Sequence, residues 1–111
     1  MAQELDKETQ EKIQILQIYE QNFQSLLMQK QAFQMELNET EKALDEIKET
    51  KEEVFKIIGN IIIKSNKEKL ETELKKKKEL LSLRLKSIEK QEKELTEELE
   101  KLKQEIMKKL K

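Results

Sequence analysis

Two long series of apolar residues, spaced alternately three and four apart and separated by a short β-branched segment, constrain this chain more than anything else in it. Stepping from Leu16 gives Tyr19, Phe23, Leu26, Lys30, Phe33, Leu37, Thr40, Leu44 and Ile47, of which all but Lys30 and Thr40 are apolar or aromatic. A 3,4 spacing sustained this far is the seam of a coiled coil, not the stripe of an ordinary surface helix. A second series runs Leu74, Lys78, Leu81, Leu85, Ile88, Glu92, Leu95, Leu99, Leu102, Ile106, broken only at Lys78 and Glu92. No proline interrupts either series, so nothing in the sequence forces a kink or a stop within them.

Composition excludes several alternatives. Charged residues make up 42 % of the chain, which with few aromatics could signal disorder. The net charge is only -1, however, and the apolar residues are periodic. The absence of cysteine and histidine removes disulfides, thiolate nucleophiles and the commonest general base and metal ligand. No apolar run approaches the roughly 20 residues that cross a bilayer, and Met1–Thr9 is too polar for a signal peptide. A cytoplasmic protein with no cofactor, no membrane partner and no catalytic site is expected. The Lys75–Lys78 run is short and flanked by acidic residues, so it reads as a solvated helix face. Nucleic acid is not an expected partner, since that needs a basic face.

The segment between the seams has strand character. In Val54-Phe55-Lys56-Ile57-Ile58-Gly59-Asn60-Ile61-Ile62-Ile63-Lys64, β-branched residues flank the chain's only glycine. Gly-Asn between two apolar runs is a two-residue hairpin signal. Both residues accept positive φ better than most. The expected pairs are Ile58 with Ile61, Ile57 with Ile62, Lys56 with Ile63 and Phe55 with Lys64. Ser65 and Glu68 have capping-box spacing and are expected to start the second helix. Thr50 and Glu53 share the spacing but precede β-branched residues, so they read as a decoy. The expected fold is mainly α: one domain over 1–111, with a helix at about 5–50, a β-hairpin at about 53–64 and a helix at about 66–110.

A tight hairpin makes the helices antiparallel, and the seams then set their register. Leu37 falls against Leu85, Phe33 against Ile88, Leu26 against Leu95, Phe23 against Leu99, Tyr19 against Leu102 and Leu16 against Ile106. The same register sets Lys30 against Glu92, a polar layer that can specify alignment at some cost in stability. At the helix termini Lys12 would face Lys109, and residues 1–11 would extend beyond the partner helix.

Two surfaces remain apolar after this pairing. The hairpin carries Val54, Ile58, Ile61 and Ile63 on one face and Phe55, Ile57 and Ile62 on the other. A two-helix coiled coil cannot cover both, and open strand edges invite another chain. Copies from several chains are therefore expected to build a shared sheet or closed barrel, since closure removes edges. Near the termini, Ile13, Ile15, Ile18, Met107 and Leu110 lie off the seam, and Met28 and Met35 point outward further along. Such residues suit a surface that adapts to varied partners.

Three segments resemble a known family. They are Tyr19–Gln31, continued through Glu36–Thr40 and Ala43–Ile47; the hairpin Val54–Lys64; and Leu81-x-Leu83-Arg84-Leu85-x-x-Ile88-Glu89-Lys90-Gln91-Glu92. All resemble the β-type subunit of prefoldin, in its archaeal form, and the hairpin pattern V-F/Y-K-x-x-G-x-x-x-x-K is the most specific of them. One hairpin, not two, also fits the β class. The resemblance implies a hetero-hexamer of two α-type and four β-type subunits whose hairpins form a double barrel with six coiled-coil arms. It implies that arm tips hold unfolded polypeptide without ATP and pass it to a group II chaperonin. Carried to this chain, the client-binding tip would be Ile13, Ile15, Ile18, Met107 and Leu110. The main rival is a structural coiled-coil scaffold with no client binding. A monomeric single-client chaperone is disfavoured by the two-faced hairpin, and an enzyme is remoter still.

Overall fold

The computed structural model describes residues 6–110. In chain order they form α1 (Lys7–Glu49), β1 (Val54–Ile58), β2 (Ile61–Ser65) and α2 (Lys67–Leu110). Along the helices the chain divides into two compact units. One, the terminal unit, combines residues up to 30 with those from 87 onward; the other, the hairpin unit, is residues 31–86.

In the hairpin unit the two helix stretches run antiparallel. Leu37, Leu81 and Leu85 form a buried cluster with Phe33 against it, as the seam register requires. Arg84 stacks over the Phe33 ring at 5.6 Å from its centroid, a cation–π contact that uses the rim of the same cluster. Leu44 and Ile47 are buried further along the first seam. Thr40 sits in that seam at 3 % exposure. Its hydroxyl is satisfied locally by donating to the Glu36 carbonyl at 2.8 Å, so the polar atom does not need a partner across the interface.

The hairpin has the register expected from its sequence, from Ile58↔Ile61 to Phe55↔Lys64, with Val54↔Ser65 added. Gly59 has φ +58° and is the only described residue with positive φ. Asn60 therefore does not use its tolerance for that region. Positive φ at the first central position alone is the backbone pattern of a type II′ turn. An added Cβ at Gly59 would meet nothing within 4 Å, so conformation and not space is why glycine stands there.

The start of α2 differs from expectation. Ser65 ends β2 opposite Val54, and its backbone is taken up by the ladder. Asn66 caps the helix instead: its Oδ1 accepts from the amides of Glu68 at 2.8 Å and Lys69 at 3.3 Å. A simple Asn cap therefore replaces the expected capping box, since the residue three positions on from Asn66 is Lys69, which cannot reach back as a glutamate would; the cap is worth about 1 kcal/mol. The helix then turns its first lysine backwards. Lys67 Nζ donates to the carbonyls of Lys48 at 3.2 Å and Thr50 at 3.0 Å. It thus places a positive charge on the otherwise unsatisfied carbonyl end of α1. Thr50 lies just past α1 and accepts from the Glu52 amide at 3.4 Å, so it starts no helix and the decoy reading stands. Leu70 is buried although it precedes the seam read from sequence. It shares a recess with Ile47, Val54 and Phe55, where it closes the junction of helices and hairpin.

In the terminal unit the helices are again antiparallel, and Lys30 Nζ meets Glu92 Oε2 at 3.1 Å. Two of the three charges that interrupt the seams, Lys30 and Glu92, thus pair with each other. Both side chains are partly exposed, so the pair is worth a few tenths of a kcal/mol to about 1 at most; its value lies in alignment. Leu16, Tyr19, Phe23, Leu26, Leu95, Leu99 and Leu102 are only half-buried here, while Ile88 and Ile106 are buried.

Candidate functional site

Two surfaces carry the site residues expected from sequence. On the hairpin, Phe55 is 54 % exposed, Ile57 71 %, Ile58 52 %, Ile61 63 %, Ile62 68 % and Ile63 46 %, with Val54 half-buried. The alternation of a strand puts Ile58, Ile61 and Ile63 on one face and Phe55, Ile57 and Ile62 on the other. Neither face is covered by the chain's own helices. Two exposed ion pairs flank the hairpin, Lys56 to Glu73 and Lys64 to Glu53, both at 2.9 Å. Hydrogen bonding from Lys56, aided by its charge, holds the Glu73 carboxyl below its ordinary value. The strands, held in register by their ladder, therefore present an exposed apolar surface.

The second surface lies at the end of the terminal unit. Ile15 is 40 % exposed, Ile18 55 %, Met107 60 % and Leu110 46 %, whereas Ile13 is half-buried. Four of the five expected tip residues are thus exposed, and Ile13 is less so. Met28 and Met35 are also open, at 70 % and 64 %. Leu80 and Leu83 on α2 are exposed too, which the seam reading passed over; their offset from Leu81 and Leu85 by one and two positions was the available signal.

The pairing at this end differs from expectation. Lys12 does not face Lys109. Lys12 bridges Glu8 and Glu105, each at 3.5 Å, and Lys109 meets Asp6 at 3.4 Å. Each lysine is engaged by a carboxylate, Lys12 by Glu8 one turn back on its own helix and by Glu105 of α2, and Lys109 by Asp6 at the start of α1. Residues from Asp6 onward therefore still engage α2 instead of extending past it. Thr9 is 1 % exposed. Leu5, where the first seam was expected to resume, lies outside the described residues. Burial lowers the Lys12 pKa, but Glu105 and Glu8 outweigh it and the net shift is upward.

Asp6 is the cap of α1: its Oδ1 accepts from the Thr9 amide at 2.7 Å. Hydrogen bonding from Thr9, side chain first and amide second, holds the Asp6 carboxyl below its ordinary value, and Lys109 adds to the effect. A carboxyl whose folded value is depressed stabilises the fold above its unfolded value, and that contribution is lost as pH falls through the folded value. The α1 start should accordingly fray as pH drops below about 4. Amide exchange at Thr9 and Gln10 would follow it, and Asp6→Asn should flatten the pH dependence. An unchanged profile in Asp6→Asn would show that another group controls this end.

Among the described residues no helix is long and apolar enough to cross a membrane, and no group of His, Cys, Asp or Glu is arranged to hold a metal. Comparison with known proteins agrees with the geometry. The prefoldin subunit family matches residues 10–111. The chain belongs to the prefoldin family. A prefoldin subunit beta of Thermococcus kodakarensis is 45 % identical over 89 residues, covering 78 % of this chain and 76 % of that protein. The Pyrococcus furiosus prefoldin subunit beta is 40 % identical over 93 residues, covering 82 % and 80 %. The crystal structure of the prefoldin beta subunit from Thermococcus strain KS-1 superposes with a TM-score of 0.86 at 39 % identity, over 96 % of each chain. This prefoldin-family chain thus has the β-type architecture expected from its single hairpin. Its family is one of non-enzymatic chaperones whose members assemble with other prefoldin subunits.

Proposed function

We propose that this chain is a β-type subunit of an ATP-independent holdase. Its hairpin joins those of α-type partners and further copies in a closed β-barrel body, as a cytoplasmic hexamer of two α and four β subunits. The ends of its helices hold unfolded polypeptide and release it to a group II chaperonin. The observation that carries this reading is the presence of two separate sets of exposed apolar residues on one chain, the two-faced hairpin and, near the helix ends, Ile15, Ile18, Met107 and Leu110. One surface suits assembly and the other suits clients. A single small apolar patch binds weakly. Several patches tethered to one body gain by effective concentration, roughly 10²- to 10⁴-fold over one site. No nucleotide is needed for that gain.

The test is suppression of aggregation. The chain is mixed with an α-type subunit and challenged with a chemically unfolded protein in the absence of ATP. A variant with Ile15→Ser, Ile18→Ser, Met107→Ser and Leu110→Ser is tested beside it. Point changes are preferable to trimming the ends, since trimming would also remove the buried Thr9 and the Lys12 ion pairs. The variant should assemble normally yet need at least about tenfold more complex for equal protection, because each site of a multivalent binder is weakened. Equal protection by both would sink the tip placement. No protection by either, with assembly intact, would favour the structural scaffold.

A further inference from the structure

In the hairpin unit, α1 and α2 enclose a groove that neither the hairpin nor the helix ends use. Its walls are Leu44 and Lys48 from α1, and Lys75, Lys78, Glu79, Ser82, Leu83 and Lys86 from α2. Leu83 is 64 % exposed, although burial on a neighbouring surface would remove most of its side chain from water. Lys78 occupies a seam position in the heptad reading yet is exposed, so its ammonium stands at the groove instead of between the helices. Lys75 is engaged by Glu71 at 3.5 Å. Lys48, Lys78 and Lys86 have no ion-pair partner among the described residues. The groove thus combines three unneutralised cations with an exposed leucine, in a chain whose net charge is -1.

We propose that this groove docks an acidic, leucine-bearing segment of a partner protein, with the partner's leucine against Leu83 and its carboxylates on Lys48, Lys78 and Lys86. Charge complementarity selects the occupant. A purely apolar segment would leave the three ammonium groups without counter-charge, and desolvating them unpaired is costly. A uniform polyanion such as nucleic acid would meet Glu79 inside the groove and would leave Leu83 uncovered. A segment with carboxylates spaced around one leucine satisfies both features and can set an uncharged residue opposite Glu79. The groove shares no residue with Ile15, Ile18, Met107 and Leu110, so the proposal stands whether or not those residues hold clients.

The experiment uses the full chain and a fluorescently labelled helical peptide that carries glutamates around a single leucine stripe, followed by anisotropy. Comparators are the same peptide with its leucines changed to serine, and a single-stranded oligonucleotide. The acidic leucine peptide should bind, and more weakly as salt rises. Lys78→Gln with Lys86→Gln, and separately Leu83→Ser, should each weaken binding by about tenfold while helix content by circular dichroism is unchanged. Three results would overturn the proposal. They are absence of peptide binding, unchanged affinity in Leu83→Ser, and oligonucleotide or serine peptide binding as tight as the leucine peptide. The last two would reduce the groove to a nonspecific cationic patch.

Discussion

Replacing Ile58 and Ile61 together by lysine is expected to turn the assembled protein into monomers that keep their helices. Both residues lie on one hairpin face and both are more than half exposed in the single chain. The substitutions therefore remove little packing within the chain itself. In an assembly each isoleucine would contribute about 1.5–3 kcal/mol on burial, and the loss recurs in every copy. Lysine adds a second penalty, since like charges from neighbouring hairpins would be brought together without counter-ions. The turn is untouched, because Gly59 still supplies the positive φ. Light scattering reports the mass, and circular dichroism reports the helices. A parallel change of Ile57 and Ile62, the most exposed residues on the opposite face, should dissociate the complex equally if both faces are covered in a closed barrel. An oligomer that survives both double variants would remove the barrel argument, leaving the helices as the only remaining interface. Monomers that lose their helices would instead mean that assembly, and not the seam, holds each chain together.

Much of this was legible because two periodicities act on different stretches. The 3,4 series fixed which residues of each helix turn inward, and every member of the first series is buried or half-buried. The hairpin pairs followed from Gly-Asn and the β-branched run. Lys30 with Glu92 was legible as well, since two interruptions falling opposite each other point to one polar layer. What escaped was decided by short-range competition among similar groups. Ser65 and Asn66 can both cap a helix, and the strand ladder claimed Ser65. Lys12 and Lys109 were expected to face each other, but Glu105 engages the first and Asp6 the second. Lys67 caps α1 through backbone carbonyls, and no pattern of side chains announces such a contact. Of the tip residues, the seam predicted outward placement for Ile18 and Met107, and both are exposed. Ile13 lies at the seam's edge, where periodicity does not separate packing from display.

The seam also makes a sharper forecast than any surface. Leu81→Ala should destabilise the chain by about 2–5 kcal/mol, whereas Leu83→Ala, two residues along the same helix, should change stability by less than about 0.5 kcal/mol. Leucine and alanine differ little in helix propensity, so the contrast isolates burial. Leu81 is 3 % exposed and packs with Leu37 and Leu85; removing its isobutyl group leaves a gap that Phe33 and Leu85 can only partly fill. Leu83 is 64 % exposed and leaves nothing behind. Against a typical domain stability of about 5–15 kcal/mol, the Leu81 loss is large enough to lower the thermal midpoint by many degrees. The two variants should be compared in the Ile58→Lys, Ile61→Lys background, where dissociation no longer contributes to the measured stability. Equal melting of both alanine variants would mean that the two leucines are equally buried, and the heptad seam through Leu81 and Leu85 would have to be redrawn. A large effect confined to Leu81 would establish that the antiparallel seam, independent of any assembly, determines how the helices of one chain pair.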